Sequence, residues 1–414
     1  MRKIRTFLVN IAKKSVGFRK LLRKTYVLLN KVKYSFFKYT NKVDDKTVLF
    51  ETYGGRSYTC SPKALYEEII KDDYFKDYKF IWAFSDPNKH KIIKDKRTKI
   101  VKSGSKDYFK ALSKSKYWVV NSIISESITK KRGQIYVQCW HGTPLKRLRC
   151  DIKVNGSALN TVDEIKKRND IDAKRFDYFI SPSKFASEKF ISAFNLKKLN
   201  KESIIIEKGY PRNDSLFNKG KKDIEKIKKE LNIPKDKKVL LYFPTFRDNQ
   251  HKSGLGYTYN LEIDFDSLKD KFSKDYIILF RPHYFIANSF DFNKYKGFII
   301  DVSKYDEIND LYLVSDALIT DYSSVFFDYA NLKKPMLFYM YDLDEYKNVL
   351  RDFYLDLKVL PGPISKTQKE LEKDIENIDK IKDKYKSKYD KFNKEFNYLD
   401  DGKSSSRVIK EIFK

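Results

Sequence analysis

KVLLYFPT at residues 238–245, YIILFRPH at 276–283, GFIIDVS at 297–303, DALITDYSS at 316–324 and PMLFYM at 335–340 are short apolar runs separated by charged stretches of helical character. Continuous apolar strands alternating with helices are the pattern of a parallel sheet covered on both faces. The same rhythm occurs earlier in the chain, in TVLFETY (47–53), YKFIWAF (78–84), YWVVNS (117–122), IYVQCW (135–140), DYFISPS (177–183) and SIIIEKGY (203–210). A Lys-rich segment, Asn218–Glu230, parts the two series. The pattern predicts an α/β chain of two Rossmann-like units joined near residues 216–236, with no internal repeat visible in the residues themselves.

The chain has 414 residues, more than one hydrophobic core usually serves, so two units of ordinary size are expected. Its 41% hydrophobic and 15% aromatic content is that of a globular protein. The net charge of +30 is consistent with nucleic acid, anionic lipid or a Lys-rich surface without a special partner. Distribution discriminates among these: thirteen Lys or Arg and no acid precede Asp44. Three cysteines, Cys60, Cys139 and Cys150, form no CxxC pair and no even set, which points to a reducing compartment. No run approaches the roughly eighteen apolar residues of a spanning helix, and no signal-peptide core is present. A protein on the cytoplasmic side is expected.

From Ile4 to about Leu29, apolar residues recur at helical spacing (Ile4, Phe7, Leu8, Ile11, Phe18, Leu22, Tyr26, Leu29) opposite Lys and Arg. Such a helix suits the headgroup region of an anionic membrane, or packs its stripe on the protein. The expected organisation is a basic amphipathic segment over 1–43, a first unit over 44–217, a second over 236–395 and a C-terminal helix over 396–414 returning to the body.

Two of the four histidines, His141 and His283, follow β-rich runs, where open α/β sheets bind ligands. His141 opens HGTPLKRL, whose Gly, Thr and Pro suit a strand-to-helix turn with Pro in the first helical turn. Ser323 and Ser324 stand at a similar turn in DALITDYSSVFFDYANLKKP, either as an anion site or as N-caps alone. Arg212 in GYPRND, Arg247 in PTFRD and Arg281 in RPH suit phosphate oxygens or surface ion pairs. Basic groups at strand ends of both units, without a carboxylate pair or metal-ligand cluster, fit a phosphate-rich substrate in a cleft between the units. No cofactor and no metal are expected.

From FETYGGRSYTCSPKALYE (50–67) through WHGTPLKRL, GYPRND, PTFRD, RPH and LITDYSSVFFDYA to DGKSSSRV, the sequence resembles the CDP-glycerol glycerophosphotransferase family, the teichoic-acid primases and polymerases of GT-B-like fold. WHGTPLK and TDYSS are its most specific words. The resemblance implies transfer of glycerol phosphate from CDP-glycerol, with CDP-ribitol as the alternative donor, to a hydroxyl of a lipid-linked or polymeric polyol-phosphate acceptor of teichoic-acid or capsule type, with release of CMP. It implies His141 as base, with Gly142, Thr143, Pro144 and Leu145 near the donor phosphates. Arg212, Thr245, Arg281, His283, Ser323, Ser324 and Asp328 would line the donor site. CSPKALYE, which Cys60 opens, appears where the family often has an Asn before the Pro.

One rival is a nucleotide-sugar transferase of the same architecture, because fold alone does not choose the donor. Its metal-dependent relatives need Asp-x-Asp after a strand; DID at 170–172 and DFD at 264–266 match only in letters. The other rival, a nucleic-acid-binding protein, would place basic and aromatic residues together on the folded units. Here the densest basic region is an amphipathic terminus, which favours an anionic membrane surface, reached from the cytoplasm, and no nucleic acid.

Overall fold

The computed structural model describes residues 15–90, 93–153, 161–245, 251–252, 256–257, 262–282, 290–346 and 352–414. Seven strands make the first sheet: β1 (Asp44–Glu51), β2 (Lys79–Phe84), β3 (Thr98–Lys102), β4 (Ser115–Val120), β5 (Ile135–Gln138), β6 (Tyr178–Ser181) and β7 (Ile205–Glu207). They are all parallel, in the order β3-β2-β1-β4-β5-β6-β7. After β8 (Lys238–Phe243) and a two-stranded hairpin of β9 (His251–Lys252) and β10 (Gly256–Tyr257) come β11 (Tyr276–Phe280), β12 (Ile299–Asp301), β13 (Ala317–Thr320), β14 (Met336–Tyr339) and β15 (Ile364–Ser365). The second sheet is also parallel, in the order β12-β11-β8-β13-β14-β15.

The strands are apolar on both faces because both faces are covered. Alternate residues of β1 enter different cores: Val48 and Phe50 pack with Phe80, Trp82 and Val119, and Leu49 packs with Trp118, Tyr136 and Phe179. The first of these cores is closed by the last helix, Ser404–Phe413, through Val408, Ile409, Ile412 and Phe413. The chain therefore returns from the second sheet to cover the first. β3 has no counterpart among the expected runs, since TKIVK carries Lys at Lys99 and Lys102 and lies at the sheet edge, where charge is common.

In each sheet the strand order reverses between the first and fourth strands of its parallel series, β1 and β4 or β8 and β13, the position where such sheets bind ligands. The two reversals share one device. Just past β1 the Tyr53 amide donates to Asn121 Oδ1 beyond β4 (2.8 Å), and just past β8 the Thr245 amide donates to Asp321 Oδ1 beyond β13 (2.8 Å).

The N-terminal helix runs Val16–Thr40, eleven residues past the expected end at Leu29, with Ser15 Oγ accepting from the Phe18 amide (3.2 Å). Ile4, Phe7, Leu8 and Ile11 lie outside the described residues. One face is tied to the body: Tyr34 is buried and its hydroxyl donates to the Thr129 carbonyl (2.8 Å), while Arg23 pairs with Glu126 (3.5 Å). The opposite face leaves Leu21, Leu28, Val32 and Phe36 at least 60% exposed. Among the described residues no helix is long and apolar enough to cross a membrane.

Candidate active site

A cavity of about 390 Å³ is lined from both sheets: by Tyr53 and Arg56 after β1, His141 after β5, Arg281 after β11, the Ser303–Asn309 segment after β12, and Ser323 and Ser324 after β13. Arg212 and Asp328 complete its floor.

His141 is set by the backbone of β5. Gln138 Oε1 takes the Trp140 amide (2.9 Å), and Trp140 adopts a left-handed φ of 48°, a conformation an L-residue holds only when its surroundings impose it. The Trp140 indole stacks on the imidazole at 4.2 Å, and the Tyr53 ring lies 5.6 Å away. His141 Nδ1 is 2.7 Å from the Asn121 carbonyl oxygen. A carbonyl only accepts, so Nδ1 carries the proton and Nε2 is the basic nitrogen of the neutral ring. Burial, reinforced by the charges of Arg212, Arg149 and Arg56 against the opposing Asn121 bond, pushes its pKa down to about 4.

Arg212 is a strut. Nη1 donates to the His141 carbonyl (2.7 Å), Nη2 pairs with Asp328, and the guanidinium lies over the Tyr210 ring at 4.8 Å. Both partners of the ion pair are buried, so the charge is fixed beside the cavity rather than free to swing. Arg281 is likewise held, Nη1 donating to the Val302 and Tyr305 carbonyls (2.8 and 2.5 Å). Ser324 precedes the short helix Val325–Tyr329 without making a side-chain capping bond. Its hydroxyl is therefore not spent as an N-cap.

Of the residues singled out in the sequence, His141, Arg212, Arg281, Ser323, Ser324 and Asp328 meet at this cavity. Arg247 and His283 lie outside the described residues. Thr245 stands behind the lining, its amide engaged by Asp321. HGTPLKRL does not begin a helix, contrary to the turn expected there. The segment crosses to the second unit instead: the Leu145 carbonyl accepts the Tyr354 amide (2.8 Å), Lys146 bridges Phe353, and the Arg147 amide donates to the Asp352 carbonyl (2.9 Å). Leu145 is consequently buried in the core of the second sheet, and Thr143 and Pro144 are buried outside the lining. Gly142 is packed so closely that a Cβ there would sit 2.7 Å from Ser324 Oγ.

Tyr53, Arg56 and the Ser303–Asn309 segment were not singled out as site residues. Tyr53 has φ 49° and is followed by Gly54 and Gly55 at positive φ, so the double glycine of FETYGG was the available signal. The Ser303–Asn309 segment carries no motif; its Glu307 pairs with Lys63 of the first unit (2.8 Å).

A family model described as CDP-Glycerol:Poly(glycerophosphate) glycerophosphotransferase matches residues 33–414. The chain belongs to this family. Among the curated glycerophosphotransferase relatives, the teichoic acid poly(glycerol phosphate) polymerase of Staphylococcus epidermidis is 42% identical over 94% of this chain and 54% of its own length. The teichoic acid glycerol-phosphate transferase of Staphylococcus aureus is 38% identical over 92% of this chain and 96% of its own. The chain thus spans about half the length of the first polymerase and nearly all of the second protein. The solved structure of the wall teichoic acid polymerase TagF superposes with a TM-score of 0.84 at 40% identity, over 97% of this chain and 100% of that one. A variant of TagF has also been solved after soaking with CDPG. The chain shares with TagF an α/β fold of two parallel sheets.

Proposed function

We propose that this chain transfers glycerol phosphate from CDP-glycerol to a hydroxyl of a teichoic-acid or capsule-type acceptor, releasing CMP. The observation that carries the reading is His141: its Nδ1 proton is held by Asn121, its Nε2 is unprotonated near pH 7, and it shares a cavity with fixed positive charge. The acceptor hydroxyl attacks the β-phosphorus, its proton passes to Nε2, and the bond to the CMP oxygen breaks. An anionic donor raises the His141 pKa from its low resting value toward the working range, which strengthens the base when substrate is present. Arg212 and Arg281 offset charge on the equatorial oxygens, with His283 as a further donor, and the Ser323 and Ser324 hydroxyls serve the leaving phosphate. Gly142 lets the base loop approach that serine turn.

In this reading residues 44–217 present the acceptor and the base, residues 236–395 hold the CDP-polyol, and the cavity is the central cleft of a GT-B-like pair. The N-terminal helix holds the enzyme on the cytoplasmic face of an anionic membrane. Its exposed Leu21, Leu28, Val32 and Phe36 face away from the body, flanked by Lys20, Lys24, Lys31 and Lys33. The deciding assay incubates the full chain with CDP-glycerol, CDP-ribitol or a UDP-sugar and a polyol-phosphate acceptor, and scores CMP release. CDP-glycerol should be used, and His141→Ala should lower turnover by about 100-fold or more while leaving the melting temperature near wild type. Turnover of His141→Ala within threefold of wild type would remove His141 as base, and preference for a UDP-sugar would overturn the donor.

A further inference from the structure

Outside the cavity, one carboxylate ties together two segments of chain that carry residues of the site, one with Arg212 and one with Asp328. Asp400 lies in the loop between the helices Lys386–Phe396 and Ser404–Phe413. Its Oδ1 accepts the Tyr210 amide (3.1 Å), and its Oδ2 accepts the side-chain amides of Asn213 (2.7 Å) and Asn331 (3.0 Å). The same Asn213 nitrogen donates to Asp328 Oδ1 (3.0 Å), so its two hydrogens are divided between two carboxylates. Asp328 Oδ2 pairs with Arg212, whose Nη1 holds the His141 carbonyl.

The sense of the Asn213 amide is the weak link in this chain. A primary amide can rotate to exchange its oxygen and nitrogen, and only its surroundings decide which way it points. With Asp400 ionised beside it, a flip would set the amide oxygen against two carboxylates. Remove that charge and only Asp328 still favours the orientation, so the flipped amide costs less; when it forms, Asp328 loses a donor, and a buried ion pair with an unsatisfied oxygen loosens.

We propose that Asp400 is a positioning residue for the transfer reaction: it fixes the Asn213 amide, which aligns Asp328 and Arg212 and through them the main chain at His141. The proposal rests on the reading of His141 as the base. It assigns a task in the active site to the C-terminal crossover, whose neighbouring Asp214 does something different. The Asp214 carboxylate accepts the Ser404 and Ser405 amides (2.9 and 2.7 Å), capping the last helix.

The test compares Asp400→Asn, Asn213→Ala, their double variant and Asp214→Asn in the full chain. Asp400→Asn should lower kcat about tenfold or more, as small misplacements do, with the KM for CDP-glycerol within about threefold of wild type. Asn213→Ala should lose a similar factor, and the double variant no more than either alone, because both cut one link. Asp214→Asn should lower the melting temperature and leave kcat per folded molecule unchanged. A second arm needs no donor: diethyl pyrocarbonate modification of His141, followed on its peptide by mass spectrometry, should change several-fold in Asp400→Asn. Unchanged kcat, losses that multiply in the double variant, or an unchanged His141 modification rate overturns the proposal. If Asp400→Asn does not fold, Asn213→Ala decides. A wild-type chain that releases no CMP from CDP-glycerol overturns the functional reading instead, while the modification rates still judge Asp400.

Discussion

With its Nδ1 proton bound to Asn121 and its pKa near 4, the imidazole of His141 is neutral in the folded chain where the unfolded chain, with a pKa near 6.5, begins to take up a proton. Between those two values the unfolded state binds more protons, so stability rises with pH across that window and is lost as pH falls through it. The buried carboxyls of Glu51, Asp172 and Asp400, which burial pushes up, slope the other way over the same range, so the signature is a difference: in urea titrations from pH 7 to pH 4 the wild type should lose more stability than His141→Asn. The neighbouring glycine acts by space rather than by charge. Gly142→Ala places a methyl 2.7 Å from Ser324 Oγ, so the serine hydroxyl must turn away from the position it holds at the cavity. We expect kcat/KM to fall by about tenfold or more with little change in melting temperature, measured on the same preparation. His141 was legible because HGTP is a rare word, whereas Arg212 was legible only as a charge. Its role as a strut depends on Asp328, 116 positions away, and no local pattern announces that pairing.

Elements were easiest to read where their environment is uniform. The eleven expected apolar runs all contain strands, because a parallel strand covered on both faces must be apolar at every position. Reading failed at HGTPLKRL, where Pro and Thr match a helix start but pairing with residues 352–354 holds the backbone extended. The N-terminal helix shows the limit of periodicity from the other side. Its apolar residues exceed what one packing face needs: Tyr34 is buried on the body, while Leu28, Val32 and Phe36 point outward. Replacing those three with Glu should abolish flotation with anionic vesicles and shift the melting temperature by no more than a few degrees, since none of them is in a core. In the wild type, flotation should weaken as salt rises above about 0.1 M, where charges are screened within roughly 10 Å. Retained flotation of the triple variant would place the membrane contact elsewhere.

At the scale of the molecule, the chain ends by closing the unit it began with. Removing residues 403–414 strips Val408, Ile409, Ile412 and Phe413 from the face of the first sheet. Each buried apolar side chain contributes about 1.5–3 kcal/mol, so the loss is several kcal/mol and comparable with the stability of a domain. The truncated chain should be insoluble, or should melt its first unit well before its second in calorimetry; a single transition at the wild-type temperature would show that the helix is dispensable. By itself the sequence determined the class of fold, the two strand series and the words that carry the chemistry, since each of these is a property of adjacent residues: apolar continuity, turn residues, a motif. Only the tertiary structure decided how they meet. The strand order that sets Tyr53 beside Asn121 spans 68 positions, its counterpart at Thr245 and Asp321 spans 76, and the Asp400 contact with Tyr210 spans 190. Such contacts form when two cores pack and the last helix crosses back, so they are set by the sum of non-local burial, which no window along the chain contains.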